Sequence, residues 1–268
     1  MQTLSYEGLF IKKKSPNIVN DHLVIEAPLQ ININNSPYTV VMRTPGNDEE
    51  LIRGLLFAED IYKEKTNVTF KIIKKENNIP VIINSAIDIK KIGNGYLNKR
   101  TLLSVSSCGI CGKQKLEDLI VSGKKLKNTT HFAVENLFEM FKEMNTLQHT
   151  FKYSGGSHAA AIFNKNQQLL TCKEDIGRHN AVDKTIGFLL NKNQLPEAKY
   201  LLVSGRVSYE IISKAFLAKI PIVVAVSACS SLAVDYAKEF GICLIGFTRD
   251  NKLTVYAKPS ALKILPHD

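Results

Sequence analysis

Apolar residues alternate with polar ones, or run together, over residues 23–33 and 38–42, and Asn34-Asn35-Ser36-Pro37 separates the two runs. Such runs broken by Asn, Ser and Pro predict two strands joined by a turn. The period then changes. Asp48, followed by Glu49 and Glu50, precedes Leu51, Leu55 and Ala58 at helical spacing, which predicts a helix with Asp48 as its N-cap. Residues 68–73 and 79–83, separated by Lys74-Lys75-Glu76-Asn77-Asn78, predict a second hairpin, so the first hundred residues read as a β-rich α+β unit. Residues 93–112 are rich in Gly, Ser and Cys, a composition that favours a loop over an element interior. Val134, Leu137, Phe138 and Phe141 then predict a helix leading into a second unit.

From about residue 151 strands alternate with helices. Residues 159–163 and 169–172 predict a hairpin, and residues 181–190 a helix with Val182, Ile186, Leu189 and Leu190 on one face. Short continuous apolar strands are predicted at 200–204, 222–226 and 242–247, with helices at 209–218 and 232–240 between them and Gly241 as a C-cap. Buried strands with intervening helices imply an α/β layer with parallel neighbours. The expected division is 1–150 for the N-terminal α+β domain, with its linker helix, and 151–268 for the α/β domain. A length of 268 residues agrees with two domains.

With 44% apolar and 22% charged residues the chain can bury cores, and no apolar stretch approaches the ~20 residues of a membrane span. The opening Met1-Gln-Thr-Leu-Ser has no basic segment leading into an apolar core, so a cytoplasmic location is expected. The formal net charge of +10 is concentrated. Between Lys90 and Lys127 nine basic residues face only Glu117 and Asp118, leaving +7. Such a segment is either a solvated surface or an attraction for an acidic partner or phosphorylated ligand. Nucleic acid is not expected, because no basic helix with base-reading side chains, no aromatic RNA-binding pattern and no Trp is present.

The five cysteines, Cys108, Cys111, Cys172, Cys229 and Cys243, are too few and odd in number for a secreted disulfide framework. The sharpest feature is Ser106-Ser107-Cys108-Gly109-Ile110-Cys111-Gly112-Lys113. A two-residue gap lets both thiols approach one centre or each other, and Lys113 and Lys115 can stabilise a thiolate. Three chemistries fit the pair. Structural zinc needs about four N/S ligands, and neither a second C-x-x-C nor a paired His motif is present. Thiol-disulfide exchange would place the pair after the first strand of a βαβ unit, whereas here it falls between domains. Sulfur carriage needs one thiolate to hold a persulfide and a second to help release sulfide.

The α/β unit adds polar groups at three strand ends: Ser204-Gly205-Arg206, Ser227-Ala228-Cys229-Ser230-Ser231, and Gly246 through Phe247, Thr248, Arg249, Asp250, Asn251 and Lys252. Ligands of α/β sheets bind at carboxyl ends of strands, where Arg206, Arg249 and Lys252 would meet a phosphate. Glu174-Asp175-Ile176-Gly177-Arg178-His179-Asn180 precedes a helix and marks a site or a domain contact, with Asn180 in the N-cap place. His158, at a strand start, is either a ligand or base or a hydrogen-bonded structural group.

Taken together these segments resemble the FdhD family of sulfur carrier proteins required for formate dehydrogenase activity. The resemblance rests on Ser107-Cys108-Gly109-Ile110-Cys111-Gly112, Gly155-Gly156-Ser157-His158-Ala159-Ala160, Glu174 through Lys184, Ser204-Gly205-Arg206 with Ser208-Tyr209-Glu210, and Ala225-Val226-Ser227-Ala228 leading to Gly246-Phe247, in family order from about Val24 to Tyr256. It implies sulfur transfer from a cysteine desulfurase to the molybdenum cofactor in its bis(molybdopterin guanine dinucleotide) form, for formate dehydrogenase. It implies further that Cys108 carries the persulfide, that Cys111 supports release, and that residues 247–252 bind the cofactor. It also implies a cytidine deaminase-like fold for the larger domain. Deaminase zinc chemistry needs H-x-E and P-C-x-x-C, but Ala159-Ala160 follow His158 and Cys229 has no partner three residues on, so no metal is expected. Asp60 stands where the family usually has Gly. The sequence leaves open whether a homodimer forms.

Overall fold

The computed structural model describes residues 2–13, 15–64, 68–93, 95, 123–127, 131–258 and 263–265. Cys108 and Cys111, the predicted persulfide pair, lie outside the described residues.

The chain begins with a two-stranded antiparallel ribbon, β1 (Thr3–Lys12) with β2 (Ser15–Val24). The apolar run expected as one strand over 23–33 is thus divided. Val24 closes the ladder with Thr3, and at Ala27 the chain enters a different sheet, where Pro28 follows as an early strand residue. That sheet holds β3 (Ala27–Ile33), β4 (Ser36–Arg43), β5 (Thr69–Glu76) and β6 (Ile79–Ala86) in the order β4-β3-β6-β5, with β3 and β6 parallel. Its two hairpins close on Asn34-Asn35 and Asn77-Asn78, all four at positive φ between 48° and 69°. Both central residues at positive φ make the turn whose twist matches paired strands, and Asn tolerates that conformation. Helix α1 (Asp48–Ala58) covers the face carrying Leu29, Ile31 and Ile33 with Leu51, Ile52, Leu55 and Leu56, all buried. Its N-cap is Asn47, not Asp48; Asp48 instead pairs with the buried Arg43 guanidinium at 2.9 Å. Asp60 has φ 58°, a left-handed conformation for which glycine carries the least cost.

A short strand, β7 (His131–Ala133), leads to α2 (Val134–Thr146) and α3 (His149–Ser154). Six strands follow in one mixed sheet: β8 (His158–Phe163), β9 (Leu169–Asp175), β10 (Tyr200–Val203), β11 (Ile222–Ala225), β12 (Cys243–Arg249) and β13 (Lys252–Ala257), ordered β13-β12-β11-β10-β8-β9. As the sequence implies, β10, β11 and β12 run parallel, joined by α5 (Tyr209–Leu217) and α6 (Ser231–Phe240). Helix α4 (Arg178–Asn191) connects β9 to β10, and β14 (Lys263–Leu265) pairs in parallel with β7. One face of the six-stranded sheet packs on α4, α5 and α6 through residues such as Val182, Ile186, Ile211, Ala215 and Phe240. The other packs on α2 through Leu137, Met140, Phe141 and Met144. Helices on both faces bury every central strand, which is why these strands read as continuous apolar runs.

The α1 helix of the first sheet crosses α4 of the second at close range. A Cβ on Gly54 would overlap the Asp183 carbonyl oxygen, and one on Gly187 would overlap that of Glu50, so each glycine is required by the other helix's backbone. This crossing packs the smaller sheet's helix on the larger sheet's.

Candidate functional site

The carboxyl ends of β10, β11 and β12 open on a cleft of about 620 Å³. Its sheet side presents Ser204, Val226 and residues 248–251, and His158 enters at the start of β8, which runs antiparallel to β10. Its opposite wall is Phe138, Phe141, Lys142 and Asn145 of α2 with Phe151 of α3. This is where a doubly covered α/β sheet places a ligand.

The 247–252 segment turns out to be the end of one strand and the start of another. β12 and β13 form a hairpin whose two-residue turn is Asp250-Asn251, with φ 53° and 54°. That is the same turn chemistry as the two Asn-Asn hairpins. Before the turn the ladder is irregular between Gly246 and Arg249. Phe247 sits there at φ 53°, its N–H donating to the Ser227 carbonyl at 3.1 Å. A bulky residue in the left-handed region costs of order 1–3 kcal/mol, and bulges of this kind re-aim side chains beside functional sites. The outcome is a change of facing: Phe247 is 40% exposed, while Thr248 is 2% exposed and lines the cleft. Thr248 Oγ1 is buried without a hydrogen-bond partner, an arrangement that costs free energy unless a ligand supplies one. Of the six residues expected from sequence, Thr248, Arg249, Asp250 and Asn251 line the cleft; Phe247 and Lys252 do not.

His158 Nδ1 is 3.5 Å from Ser204 Oγ, which itself accepts from the Ala159 N–H at 2.9 Å. Burial is the largest cause holding the His158 pKa below its ordinary value; Arg178 and Arg206 push it lower and Asp175 opposes them. The imidazole is therefore neutral at pH 7. Gly205 brings these groups together, since a Cβ there would lie 3.1 Å from His158 Nδ1 and 3.4 Å from Arg178 Cβ. Arg178 Nε is buried and also lacks a hydrogen-bond partner.

The Glu174 to Lys184 motif is in part a contact between the two sheets and in part a set of bonds to neighbouring helices. Glu174 accepts from the Thr150 and Phe151 N–H groups at the start of α3 and from Ser157 Oγ, all at 2.8 Å. Asp175 pairs with Lys184 at 2.7 Å and accepts from the Thr44 N–H at 3.1 Å. Asn180 is not the N-cap of α4: Gly177 is, and Asn180 Nδ2 reaches back to the Met42 carbonyl at 2.8 Å and to Asp175 at 3.0 Å. His179 Nε2 lies 3.0 Å from Ser208 Oγ and 3.1 Å from Glu210, tying α4 to α5. Ser230, one of the strand-end serines, caps α6 through Ala233 N at 3.2 Å. The aromatic wall of α2 was missed as part of a site. Its signal was the pairing of Phe138 with Lys142, four residues apart, on a helix otherwise read as a connector.

Of the five cysteines, the three that are described are poor thiolates. Burial pushes Cys172 and Cys243 up to about 12 and Cys229 up to about 11.

Residues 24–263 match the sequence model of the FdhD/NarQ family. The chain belongs to that family. Among its relatives, "Sulfur carrier protein FdhD" of Sulfurisphaera tokodaii is 37% identical over 260 residues, covering 96% of this chain and 97% of its own. The protein of the same name from Picrophilus torridus is 40% identical over 255 residues, covering 91% and 93%. The solved structure of a protein from Desulfotalea psychrophila, assigned as a formate dehydrogenase accessory protein, has the same fold, with a TM-score of 0.76 over 98% of this chain and all of that one at 20% identity. In this FdhD/NarQ chain no described helix is long and apolar enough to cross a membrane.

Proposed function

We propose that this protein is a sulfur carrier serving formate dehydrogenase, with Cys108 as the persulfide-bearing thiol. The carrying observation is the distribution of thiol reactivity: Cys172, Cys229 and Cys243 are held protonated by burial, which leaves Cys108 and Cys111, in a Ser/Gly segment flanked by Lys113 and Lys115, to act as thiolates. In the loading step the Cys108 thiolate attacks the terminal sulfur of a cysteine desulfurase persulfide, the desulfurase thiolate leaves, and Cys108 holds the sulfane sulfur. In the release step the Cys111 thiolate attacks Cys108 Sγ, hydrosulfide leaves, and a Cys108–Cys111 disulfide forms. The two electrons that turn sulfane sulfur into sulfide come from the thiol pair, and an external dithiol restores it.

The sulfur acceptor on this reading is the molybdenum cofactor in its bis(molybdopterin guanine dinucleotide) form, as bound substrate, with a guanine nucleotide arm in the cleft. Thr248 Oγ1 supplies an unused buried hydrogen-bonding group, Arg249 a cation for phosphate, and Phe138 and Phe141 apolar surface. The six-stranded unit is read as a deaminase-like scaffold put to binding. One feature supports that reading: Ala159-Ala160 follow His158, where the deaminase motif needs a Glu two residues on.

Two measurements test this. GDP titrated against wild type, Arg249→Ala and Cys108→Ala is expected to bind roughly tenfold or more weakly only to Arg249→Ala, since a charge-assisted contact contributes about 1.5–3 kcal/mol. No detectable GDP binding by wild type would remove the cofactor from the cleft. Alkylation of the native protein near pH 8, followed by peptide mass mapping, is expected to label Cys108 and Cys111 first. The other three thiols should follow on the order of a hundredfold more slowly, in line with their low thiolate fraction. Comparable rates at all five would remove the basis for assigning the persulfide to Cys108.

A further inference from the structure

A second cavity, of about 490 Å³, lies beside the amino end of β10, at the opposite end of that strand from the cleft. The C-terminal ends of α1, α4 and α5 meet there. Phe57, Leu190 and Leu217 form its floor with Leu195, from the short 3-10 turn after α4, and all four pack on the core of the larger sheet. Its charged lining is Lys63, Lys199 and Lys219, and no Asp or Glu among the described residues lines it. Lys63 pairs with Asp60 at 2.7 Å, whereas Lys199 and Lys219 make no ion pair among the described residues.

A lysine beside a helix C-terminus ordinarily serves the last carbonyls, but here the backbone has already taken them. At the end of α4 the Asn193 N–H donates to the Leu190 carbonyl at 3.1 Å and the Gln194 N–H to the Leu189 carbonyl at 2.8 Å. At the end of α5 the Lys219 N–H donates to the Phe216 carbonyl at 3.0 Å and the Ile220 N–H to the Ala215 carbonyl at 2.8 Å. Each helix thus closes on a residue at positive φ, Asn193 at 56° and Lys219 at 57°. Asn tolerates that conformation, whereas at Lys219 glycine would be the more stable choice. A residue that costs stability where it stands, with its ammonium left over beside a cavity, has a use for its side chain. The geometry points to a binding site for an amphiphilic anion, with its apolar body on Phe57, Leu190, Leu195 and Leu217 and its carboxylate at Lys199 and Lys219. The volume lies within the ~300–1,000 Å³ of small-molecule pockets. An apolar floor under unpaired cations fits an acyl chain with an anionic head and repels its cationic counterpart. The cavity is separate from the cleft, so this site does not depend on the sulfur-carrier reading.

Calorimetric titration of the full chain with decanoate is expected to show one saturable site with a Kd below about 1 mM. Octanoate and hexanoate should bind more weakly by roughly two- to fourfold per methylene lost, and decyltrimethylammonium should not compete. Lys199→Ala/Lys219→Ala should weaken decanoate by about tenfold or more. Lys219→Gly keeps the helix end closed and relieves its backbone, so it should weaken decanoate while raising the thermal midpoint by about 2 °C. Lys74→Ala/Lys75→Ala, at exposed lysines of β5, should leave the affinity unchanged. No saturable binding of decanoate up to about 5 mM, or equal affinity for decyltrimethylammonium, would overturn the inference. So would a loss in Lys74→Ala/Lys75→Ala as large as in Lys199→Ala/Lys219→Ala, since the anion would then be drawn to the basic surface at large.

Discussion

Cys108→Ala is expected to abolish desulfurase-dependent sulfur loading and the activation of formate dehydrogenase while leaving the thermal midpoint where it is in wild type. The loss should be complete when Cys111 serves release alone, because Cys172, Cys229 and Cys243 cannot take the role. At pH 8 a thiol of pKa about 11 to 12 is ionised to roughly one part in a thousand or less, and the thiolate is the nucleophile. Cys172 carries a further penalty, since Glu174 adds its negative charge to the effect of burial. Cys111→Ala should separate the two steps: it keeps the thiol that accepts sulfur and removes the one that expels it. A stable persulfide on Cys108, with slowed release, is the expected product. The measurement is mass spectrometry of the peptides after incubation with a desulfurase and cysteine, where one sulfur adds about 32 mass units to the Cys108 peptide of wild type. If Cys108→Ala still gains that mass on Cys111 and still activates formate dehydrogenase, the roles of the two residues are exchanged.

Much of the architecture was legible because its signals are local. Asn34-Asn35 and Asn77-Asn78 close hairpins, and each short apolar run of the α/β unit became a buried strand. Asp250-Asn251 carries the same turn signal between two apolar runs, and residues 248–251 of that segment line the cleft. The ribbon was hidden for a different reason. Apolar residues on both faces of a two-stranded sheet give no inside and outside to alternate between, so the period-two pattern does not form. The position of Ser204 and Arg249 at the cleft was legible, because small and basic residues at strand ends mark it. The site was illegible where the deciding feature is a backbone irregularity: the bulge that turns Phe247 out and Thr248 in leaves no compositional mark. The Glu174 to Lys184 motif shows the limit from the other side, because its charged residues look like catalysis, yet Asp175 and Lys184 join two sheets and Glu174 and His179 hold neighbouring helices.

That joining role makes Lys184→Ala the variant with the largest expected effect on stability. Lys184 and Asp175 are both 0% exposed. Their ion pair, at 2.7 Å, is held by neighbours on both units: Lys184 Nζ donates to the Thr44 carbonyl at 2.8 Å, and Asp175 accepts from the Thr44 and Gly177 N–H groups at 3.1 and 2.8 Å. Thr44 follows β4, so the pair links the smaller sheet to the start of α4. Removing the ammonium leaves a buried carboxylate without its counter-charge, and breaking such a pair from one side costs about 3–5 kcal/mol. Against a typical total of about 5–15 kcal/mol, that loss approaches the unfolding threshold. The expected observation is a thermal midpoint about 10 °C lower or more, with reduced soluble yield. A Lys184→Met/Asp175→Asn double variant removes both charges together and should recover part of the loss, because the penalty comes from the unpaired carboxylate rather than from the missing attraction. Persulfide formation on Cys108, measured on whatever Lys184→Ala protein stays folded, should be close to wild type. A thermal midpoint within about 2 °C of wild type for Lys184→Ala would mean that the pair does not hold the two sheets together, and normal stability with lost sulfur transfer would move Lys184 from the scaffold into the chemistry.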